Sequence, residues 1–195
     1  MSGFPRRTFL AGSAAVLLGG CGGGGGDEAD DEPRRRAATP ACDDGDEPTV
    51  EQTEGPYFSP GSPERRSLVS AGMEGARLTV AGRVLTTACR PVPRALLDFW
   101  QADAAGVYDN EGFTLRGHQF TDARGRFRLE TVVPGLYPGR TRHLHVKVQA
   151  PRGRVLTTQL YFPGEEENGR DGLYTPELLM AVRGSRAAFD FVLEA

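Results

Sequence analysis

The chain has 195 residues, of which 38% are hydrophobic and 25% are charged, and its formal net charge is −3 at pH 7. This is an ordinary globular composition, and the length allows one domain plus a tail but not a multidomain assembly. No stretch reaches the roughly 20 apolar residues that a membrane-spanning helix needs, and no basic run offers a surface for nucleic acid. We therefore expect neither a polytopic membrane protein nor a nucleic-acid-binding protein.

Residues 1–21 have the pattern of an export signal. Arg6 and Arg7 precede an apolar run, and small residues lead to Cys21. The run is too short to span a bilayer and has no stop-transfer flank. The arginine pair, followed by Thr-Phe-Leu, is similar to a twin-arginine signal, the bacterial route for chains exported in folded form, often with a metal or cofactor already bound. Residues 18–21 are similar to a lipobox, which predicts lipidation at Cys21; removal of Cys21 by an ordinary signal peptidase is the alternative.

Residues 22–50 are predicted to form a disordered tether. Five glycines, Gly22 to Gly26, are followed by an acidic stretch that contains Arg34 to Arg36. A segment of this composition cannot bury enough apolar surface to order itself. The folded body is therefore expected in residues 51–195.

Two cysteines, Cys42 and Cys89, remain after the predicted signal. An even number of cysteines outside the cytosol favours a disulfide bond, because the compartment is oxidising. A bond between Cys42 and Cys89 would attach the N-terminal arm to the body. The alternative is a pair of unpaired buried thiols, and neither spacing fits a zinc site.

The body is predicted to be an all-β protein, an antiparallel β-sandwich with long loops that carry the active site. Six segments are short, rich in β-branched or aromatic residues and bounded by turn-forming residues. In chain order they are Ala76–Leu85, Arg94–Gln101, Gly125–Val133, His143–Ala150, Val155–Phe162 and Ala188–Leu193. No long segment keeps a helical period; only Pro176–Val182 is predicted as a short helix, with Thr175 as its N-cap. Several short strands punctuated by Gly and Pro favour two packed sheets.

The three histidines are the first candidates for chemistry. His143 and His145 flank Leu144 in an alternating strand, so both imidazoles are expected on the same face. Such a pair makes half a metal site, and a solvated or hydrogen-bonded pair is the alternative. His118 has no partner at ligand spacing and is predicted to be structural or exposed.

Two tyrosines on loops could complete a metal site. Tyr137 lies in a turn-rich stretch just ahead of the histidines, and Tyr108 lies in the loop that follows the strand ending at Gln101. A phenolate is a hard anionic donor that suits Fe(III), and the cation would depress the phenol's pKa from its free value of about 10. Spacing alone does not bring the two tyrosines together, and each could be an ordinary loop aromatic.

Five short motifs occur in order between residue 53 and about residue 165. They are residues 53–58 (TEGPYF), 97–103 (LDFWQAD), 134–138 (PGLYP), 140–145 (RTRHLH) and 158–162 (TQLYF). Together they resemble the intradiol ring-cleavage dioxygenases, the non-haem Fe(III) enzymes that include protocatechuate 3,4-dioxygenase and catechol 1,2-dioxygenase. Because five separate motifs agree, chance is a poor explanation for the resemblance.

The resemblance implies a set of functional residues. One Fe(III) per chain would be held by Tyr108, Tyr137, His143 and His145. Arg140 and Gln159 would be catalytic residues that also bind the substrate, and Tyr57 would border the substrate pocket. Tyr137 would be the iron ligand that the substrate displaces, and its phenolate would take up a substrate proton.

The resemblance also implies the reaction and the partners. A catechol-type aromatic diol would be cleaved by O2 between its two hydroxylated carbons to give a cis,cis-muconate-type diacid. The partners would therefore be a small aromatic diol and O2. The lipobox predicts separately that membrane contact comes only through a lipid anchor at Cys21, and self-association into a homo-oligomer stays open.

The chain departs from the family pattern at three places. Tyr137 and His143 are only six residues apart, whereas protocatechuate enzymes usually carry a longer insert there. Gly139 stands where those enzymes tend to have a tryptophan, and a small residue would open that side of the pocket. The helical dimerisation region of the catechol 1,2-dioxygenases is missing. These differences leave the identity of the diol open and favour the short, exported, single-domain members.

Two alternatives from other functional classes remain. A degenerate member could keep the sandwich and bind an aromatic or carbohydrate ligand without turnover, although the presence of all four implied ligands speaks against loss of the metal. The chain could also be a surface adhesion or scaffold domain, since many exported sandwiches serve that role. Colour separates these hypotheses, because charge transfer from tyrosinate to Fe(III) would make the purified enzyme red-brown.

Overall fold

Two β-sheets form the body of the protein in the computed structural model, which describes residues 47–194. The nine strands are β1 (Arg77–Thr86), β2 (Leu96–Trp100), β3 (Arg116–Phe120), β4 (Arg126–Val132), β5 (His143–Gln149), β6 (Val155–Tyr161), β7 (Ala181–Arg183), β8 (Arg186–Ala188) and β9 (Phe191–Leu193). One sheet, here called the site sheet, has the strand order β3-β2-β5-β6, and all its pairings are antiparallel. The other, the cover sheet, has the order β4-β1-β8-β7, with β9 also paired to β1.

The all-β, antiparallel-dominated sandwich predicted from the sequence is confirmed, with two parallel pairings added. Both β8 and β9 run parallel to β1, each over three residues, because ten-residue β1 is long enough to pair with them in succession. The chain between them passes very close to β1, where a Cβ on Gly82 would lie 1.7 Å from the carbonyl oxygen of Phe189. Only glycine leaves room for this approach.

All six predicted strands occur, although Ala188–Leu193 contributes to two short strands, β8 and β9. Strands β3 and β7 were not predicted. The prediction of a helix over Pro176–Val182 is wrong beyond its first turn: Pro176–Leu178 forms a single 3₁₀ turn, and the Thr175 side chain makes no capping hydrogen bond. The chain leaves the helix because the Met180 amide donates to the Tyr161 carbonyl at 3.0 Å, at the end of β6.

The core lies between the two sheets. Strand β5 alternates as its sequence predicts, so Leu144, Val146 and Val148 are fully buried in the core and His143 and His145 lie on the opposite face of the site sheet. From the cover sheet, Val80 and Leu129 are buried in the same cluster. This cluster gives the site sheet a rigid support, and the candidate functional side chains lie on its far face.

The described residues begin inside the predicted tether. Thr49 and Val192 share two hydrogen bonds, from the Thr49 amide to the Val192 carbonyl (2.9 Å) and from the Val192 amide to the Thr49 hydroxyl (2.8 Å). The Val50 carbonyl accepts a bond from the Thr158 hydroxyl at 2.7 Å. Packed structure therefore includes residues ahead of 51. Within residues 47–194, no helix has the length and apolar character needed to cross a membrane.

Candidate metal centre and active site

The candidate site is built on the outer face of the site sheet. The strand register places Arg116 opposite Trp100, Trp100 opposite His145, and His145 opposite Gln159, so these four side chains form one row across all four strands. All four are almost completely buried. Residues 53–58, 101–115 and 133–142 supply the other groups of the site, since they carry the tyrosines and Arg140.

The two histidines of β5 point to one place. Their Nε2 atoms lie 3.2 Å apart. Nδ1 of His143 lies 2.6 Å from the Thr141 carbonyl oxygen, which can only accept, so Nδ1 carries the proton and Nε2 presents a lone pair. The ring of His145 stacks on Trp100, with centroids 4.9 Å apart and planes 9° from parallel. Packing and one backbone carbonyl therefore fix both rings in the orientation that a shared metal ion needs.

Three tyrosines gather beside the histidines. The Tyr108 hydroxyl lies 3.3 Å from Nε2 of His143, and the Tyr137 hydroxyl is 2.6 Å from the Tyr57 hydroxyl. Tyr57 also stacks on Tyr108, with centroids 4.4 Å apart. The Tyr108 and Tyr137 rings meet edge to face at 6.1 Å. The fold thus brings together two tyrosines that are 29 positions apart in the chain and that spacing alone could not join.

Arg140 is fixed on two sides. Its Nε donates to Asp171 Oδ2 at 2.9 Å, and its Nη2 donates to Gln159 Oε1 at 2.6 Å. Gln159 is anchored in turn, because its Nε2 donates to the Thr53 carbonyl at 3.0 Å. The guanidinium is therefore held beside the histidine row with little rotational freedom.

A buried arginine ties the tyrosine-bearing segments to the sheet. Arg116, on β3, donates to the Asp109 carbonyl from Nε (3.0 Å) and Nη2 (2.6 Å), and to the Tyr57 carbonyl from Nη1 (2.5 Å). The Asp109 carboxylate closes its own loop by accepting from the backbone amides of Glu111, Gly112 and Thr114. These bonds fix the backbone at Tyr57 and next to Tyr108, so that the two tyrosine rings stack on each other.

Burial controls the protonation of the site. It lowers the pKa of His143 to about 4 and lowers the pKa of His145 well below its usual value, so both imidazoles are neutral at pH 7. Burial raises the pKa of Tyr108, although the positive charges of Arg140 and Arg116 act in the opposite direction. Neutral imidazoles are the form that binds metals, whereas a phenol this buried ionises only when a cation compensates the charge.

The donor set fits a ferric ion. The described residues contain no group of three or more His, Cys, Asp and Glu side chains that could hold a metal, so a metal here depends on tyrosine ligands as well as the two histidines. Two imidazole nitrogens and two phenol oxygens form a nitrogen and hard-oxygen set, and phenolate in particular suits Fe(III). The structure therefore offers the residues that the sequence resemblance assigns to iron.

The structure gathers all the predicted site residues that it describes, except one cysteine. They are Tyr57, Tyr108, Tyr137, Arg140, His143, His145 and Gln159. His118 lies apart and is structural, since its Nδ1 donates to the Ser62 carbonyl at 2.7 Å. Cys21 and Cys42 lie outside the described residues, so lipidation and the Cys42–Cys89 bond stay predictions.

Sequence reasoning missed the residues that support the site. Arg116 and Asp171 hold functional side chains or their loops, and the Thr141 carbonyl orients His143. None carries a local signal: Asp171 lies four residues after an acidic run that is typical of a solvated surface, and Arg116 lies in a segment without apolar alternation.

Comparison with known proteins agrees with this site. The family model described as "Dioxygenase" matches residues 53–194. The chain is 37% identical over 123 residues to the protocatechuate 3,4-dioxygenase beta chain of Burkholderia cepacia, which covers 53% of this chain and 52% of that protein. It is 32% identical over 152 residues to the hydroxyquinol 1,2-dioxygenase of Rhodococcus opacus, which covers 66% of this chain and 50% of that protein. The chain thus spans about half the length of these curated relatives.

A solved structure gives a fuller match. It is the dioxygenase domain of a dioxygenase and carbohydrate-binding protein fusion from Streptomyces sp. SirexAA-E, which is 59% identical to this chain. The TM-score is 0.75, and the match covers 76% of this chain and 99% of that domain.

Proposed function

Because the chain belongs to the intradiol ring-cleavage dioxygenase family, we propose that it is a non-haem Fe(III) enzyme that cleaves a catechol-type diol between its hydroxylated carbons with O2. The product would be a cis,cis-muconate-type diacid. The observation that carries the proposal is the convergence of Tyr108, Tyr137, His143 and His145 on one face of the site sheet. Ferric iron bound by these four residues would supply Lewis acidity toward both diol oxygens and a redox partner for the ring's reaction with O2.

Tyr137 is suited to handle a substrate proton. Its hydroxyl is 2.6 Å from that of Tyr57, so its position is supported by a residue outside the proposed ligand set. Tyr57 would keep the Tyr137 oxygen in place as the diol binds, and that oxygen would accept a substrate proton. The stack of Tyr57 on Tyr108 keeps Tyr57 itself in place.

Arg140 and Gln159 would act on the bound diol. The Arg140 guanidinium brings positive charge to a site where the reacting diol becomes anionic, and it is oriented before substrate arrives. Gln159 lies next to His145 in the strand register and holds Arg140, so it lines the same space. The substrate is thus proposed to be a small aromatic diol, and its ring substituents stay open.

Export is proposed on the sequence pattern alone. The twin-arginine-type signal and the lipobox at Cys21 support a location in the cell envelope, either lipid-anchored or free in the periplasm or outside the cell. A metal site whose Tyr108, His143 and His145 are buried in the fold is compatible with a route that exports chains already folded and loaded.

The proposal is tested by colour, metal content and ring cleavage. Wild type purified with ferric supplementation should be red-brown, contain one iron per chain, and convert at least one diol from a panel of catechol, protocatechuate, hydroxyquinol and substituted catechols, followed by ultraviolet absorbance. His145→Ala should lose most of its iron, because His118, the one described histidine outside the His143 and His145 pair, lies away from the site and cannot replace it. The matched control is His118→Ala, which removes a histidine held by Ser62 and should keep iron.

Two further variants separate iron binding from catalysis. Tyr108→Phe should shift or bleach the visible band. Arg140→Ala should keep iron and colour but lower the rate by roughly 10²- to 10³-fold, the cost of removing a preorganised donor to developing negative charge. A colourless, iron-free wild type would refute the metal assignment, and full activity in Arg140→Ala would refute the role of that arginine.

A further inference from the structure

Three side chains in the segment after β6 contact three consecutive residues ahead of β5. The pairs are Arg142 Nε to Glu165 Oε1 (2.8 Å), Thr141 Oγ1 to Asn168 Oδ1 (2.6 Å) and Arg140 Nε to Asp171 Oδ2 (2.9 Å). The contacting residues of the later segment are each three positions apart. We call Glu165, Asn168 and Asp171 the docking stripe.

The three residues lie in and around a short 3₁₀ helix, Glu166–Gly169. Asn168 lies within the helix, Glu165 is its N-cap, and Asp171 follows the C-cap residue Arg170. The Asp171 amide bonds back to the Glu167 carbonyl at 3.0 Å, four positions earlier, which fixes the position of Asp171 just beyond the helix. Glu166 and Glu167 do not belong to the stripe and pair with the exposed Arg170. One side of the helix thus faces the site and another faces solvent.

Asp171 makes the central contacts of the stripe. Its Oδ2 accepts from Arg140 Nε and from the Thr141 amide, each at 2.9 Å, and its Oδ1 accepts from the Leu173 amide at 2.9 Å. The Asp171 side chain is 2% exposed. The carbonyl of the same Thr141 accepts the hydrogen bond from His143 Nδ1. The Asp171 carboxylate therefore fixes the catalytic guanidinium directly. It also binds the amide of Thr141, the residue whose carbonyl orients the His143 imidazole.

We propose that Asp171 is a positioning residue of the active site, which aims the Arg140 guanidinium at the substrate from the docking stripe. This proposal rests on the proposed function for its catalytic consequence. Replacing the Asp171 carboxylate by an amide would remove the charge that holds Arg140 and would leave one acceptor oxygen for three donors, which are Arg140 Nε and the Thr141 and Leu173 amides. Gln159 would remain as the second contact of Arg140, so the guanidinium would stay near the site but be poorly aimed.

The test is a double-mutant cycle between Asp171 and Arg140 on the iron-loaded protein. Asp171→Asn keeps the shape of the side chain and should lower kcat/KM by roughly 10- to 100-fold while the visible band persists. In an Arg140→Ala background, the same change should lower kcat/KM by less than about two-fold, since the group it positions is gone. Glu167→Gln is the matched control: it removes a carboxylate from another side of the same helix and should leave activity and colour unchanged.

Equal losses from Asp171→Asn in both backgrounds, or no loss in either, would overturn the proposal. A second measurement does not depend on catalysis: urea unfolding of the iron-free proteins should show that the two single changes are not additive, with a coupling of at least roughly five-fold in the unfolding equilibrium constant. Additive effects would refute the coupling. If wild type cleaves no diol, the proposed function fails, and the iron-free cycle alone decides whether Asp171 holds Arg140.

Discussion

Mild acid should destabilise the iron-free protein through the histidines of β5. Burial lowers the pKa of His143 from 6.5 to about 4, so the folded state binds fewer protons there than the unfolded chain does when the pH lies between these values. Stability should therefore be constant above about pH 6.5 and fall as the pH drops toward 4. The difference between a pKa of 6.5 in the unfolded chain and about 4 in the folded protein corresponds to a loss of about 3 kcal/mol in the free energy of unfolding. His145, whose pKa is lowered for the same reason, adds to the loss.

Carboxyl groups should not obscure this effect. Burial raises the pKa of Asp98, so its protonation favours the folded state in acid and offsets part of the loss. The pKa of Asp171 lies below its usual 3.8, because hydrogen bonds from the Leu173 and Thr141 amides and from Arg140 outweigh the effect of burial, which acts to raise it. Its stabilising contribution is lost only below about pH 4. The interval from pH 6.5 to 4 therefore belongs mainly to the histidines.

The assay is urea unfolding at several pH values with a chelator present. Trp100 is the single tryptophan, it is 1% exposed and it stacks on His145, so its fluorescence reports directly on the site. His143→Leu removes one titrating group and should flatten the pH dependence by about 3 kcal/mol. If His143→Leu shows the same pH dependence as wild type, the buried neutral state assigned to His143 is wrong.

Three other predictions concern the fold and the anchoring of the chain. Gly82→Ala should lower the free energy of unfolding by about 3 kcal/mol, because its Cβ would collide with the Phe189 carbonyl, whereas Gly169→Ala, which meets nothing within 4 Å, should change it little in the same urea titration. The exported protein should contain a Cys42–Cys89 bond contributing roughly 3–4 kcal/mol, and two free thiols by alkylation and intact mass would contradict this. Cys21→Ser should release the protein from membranes; wild type found wholly in the soluble periplasmic fraction would count against lipidation.

The sequence predicts best where one physical rule acts locally. Alternation places His143 and His145 on one face because Leu144, Val146 and Val148 need the core on the other. Most strand positions follow from the same rule. The convergence of Tyr108 and Tyr137 was predicted from the family resemblance instead. Their loops follow β2 and precede β5, and they meet only because these two strands pair in the sheet, which no local pattern indicates.

Other features depend on long-range packing and leave no local mark. Strand β3 contains Arg116 and Gln119 at buried positions, so it lacks the apolar alternation that identifies a strand, and it forms because β2 offers a free edge. The Pro176 segment carries a good helix start but is drawn into contact with the end of β6 after one turn. Asp171 follows an acidic run, and its role depends on contacts with residues distant in the sequence, since its carboxylate accepts from Arg140 and from the Thr141 amide.

The attachment of residues 49–53 has a mechanical consequence for an anchored protein. Thr49 bonds to Val192, Val50 to Thr158, Gln52 to Thr157 and Thr53 to Gln159, in steps that lead from the start of the described chain to the active site. With the predicted Cys42–Cys89 bond reduced, tension applied to the chain ahead of residue 47 would be carried first by the bonds at Thr49 and Val50, and it would reach Gln159 only after those bonds had broken. In an anchored protein, residues 49–53 would therefore protect the catalytic geometry from a pull on the chain ahead of them.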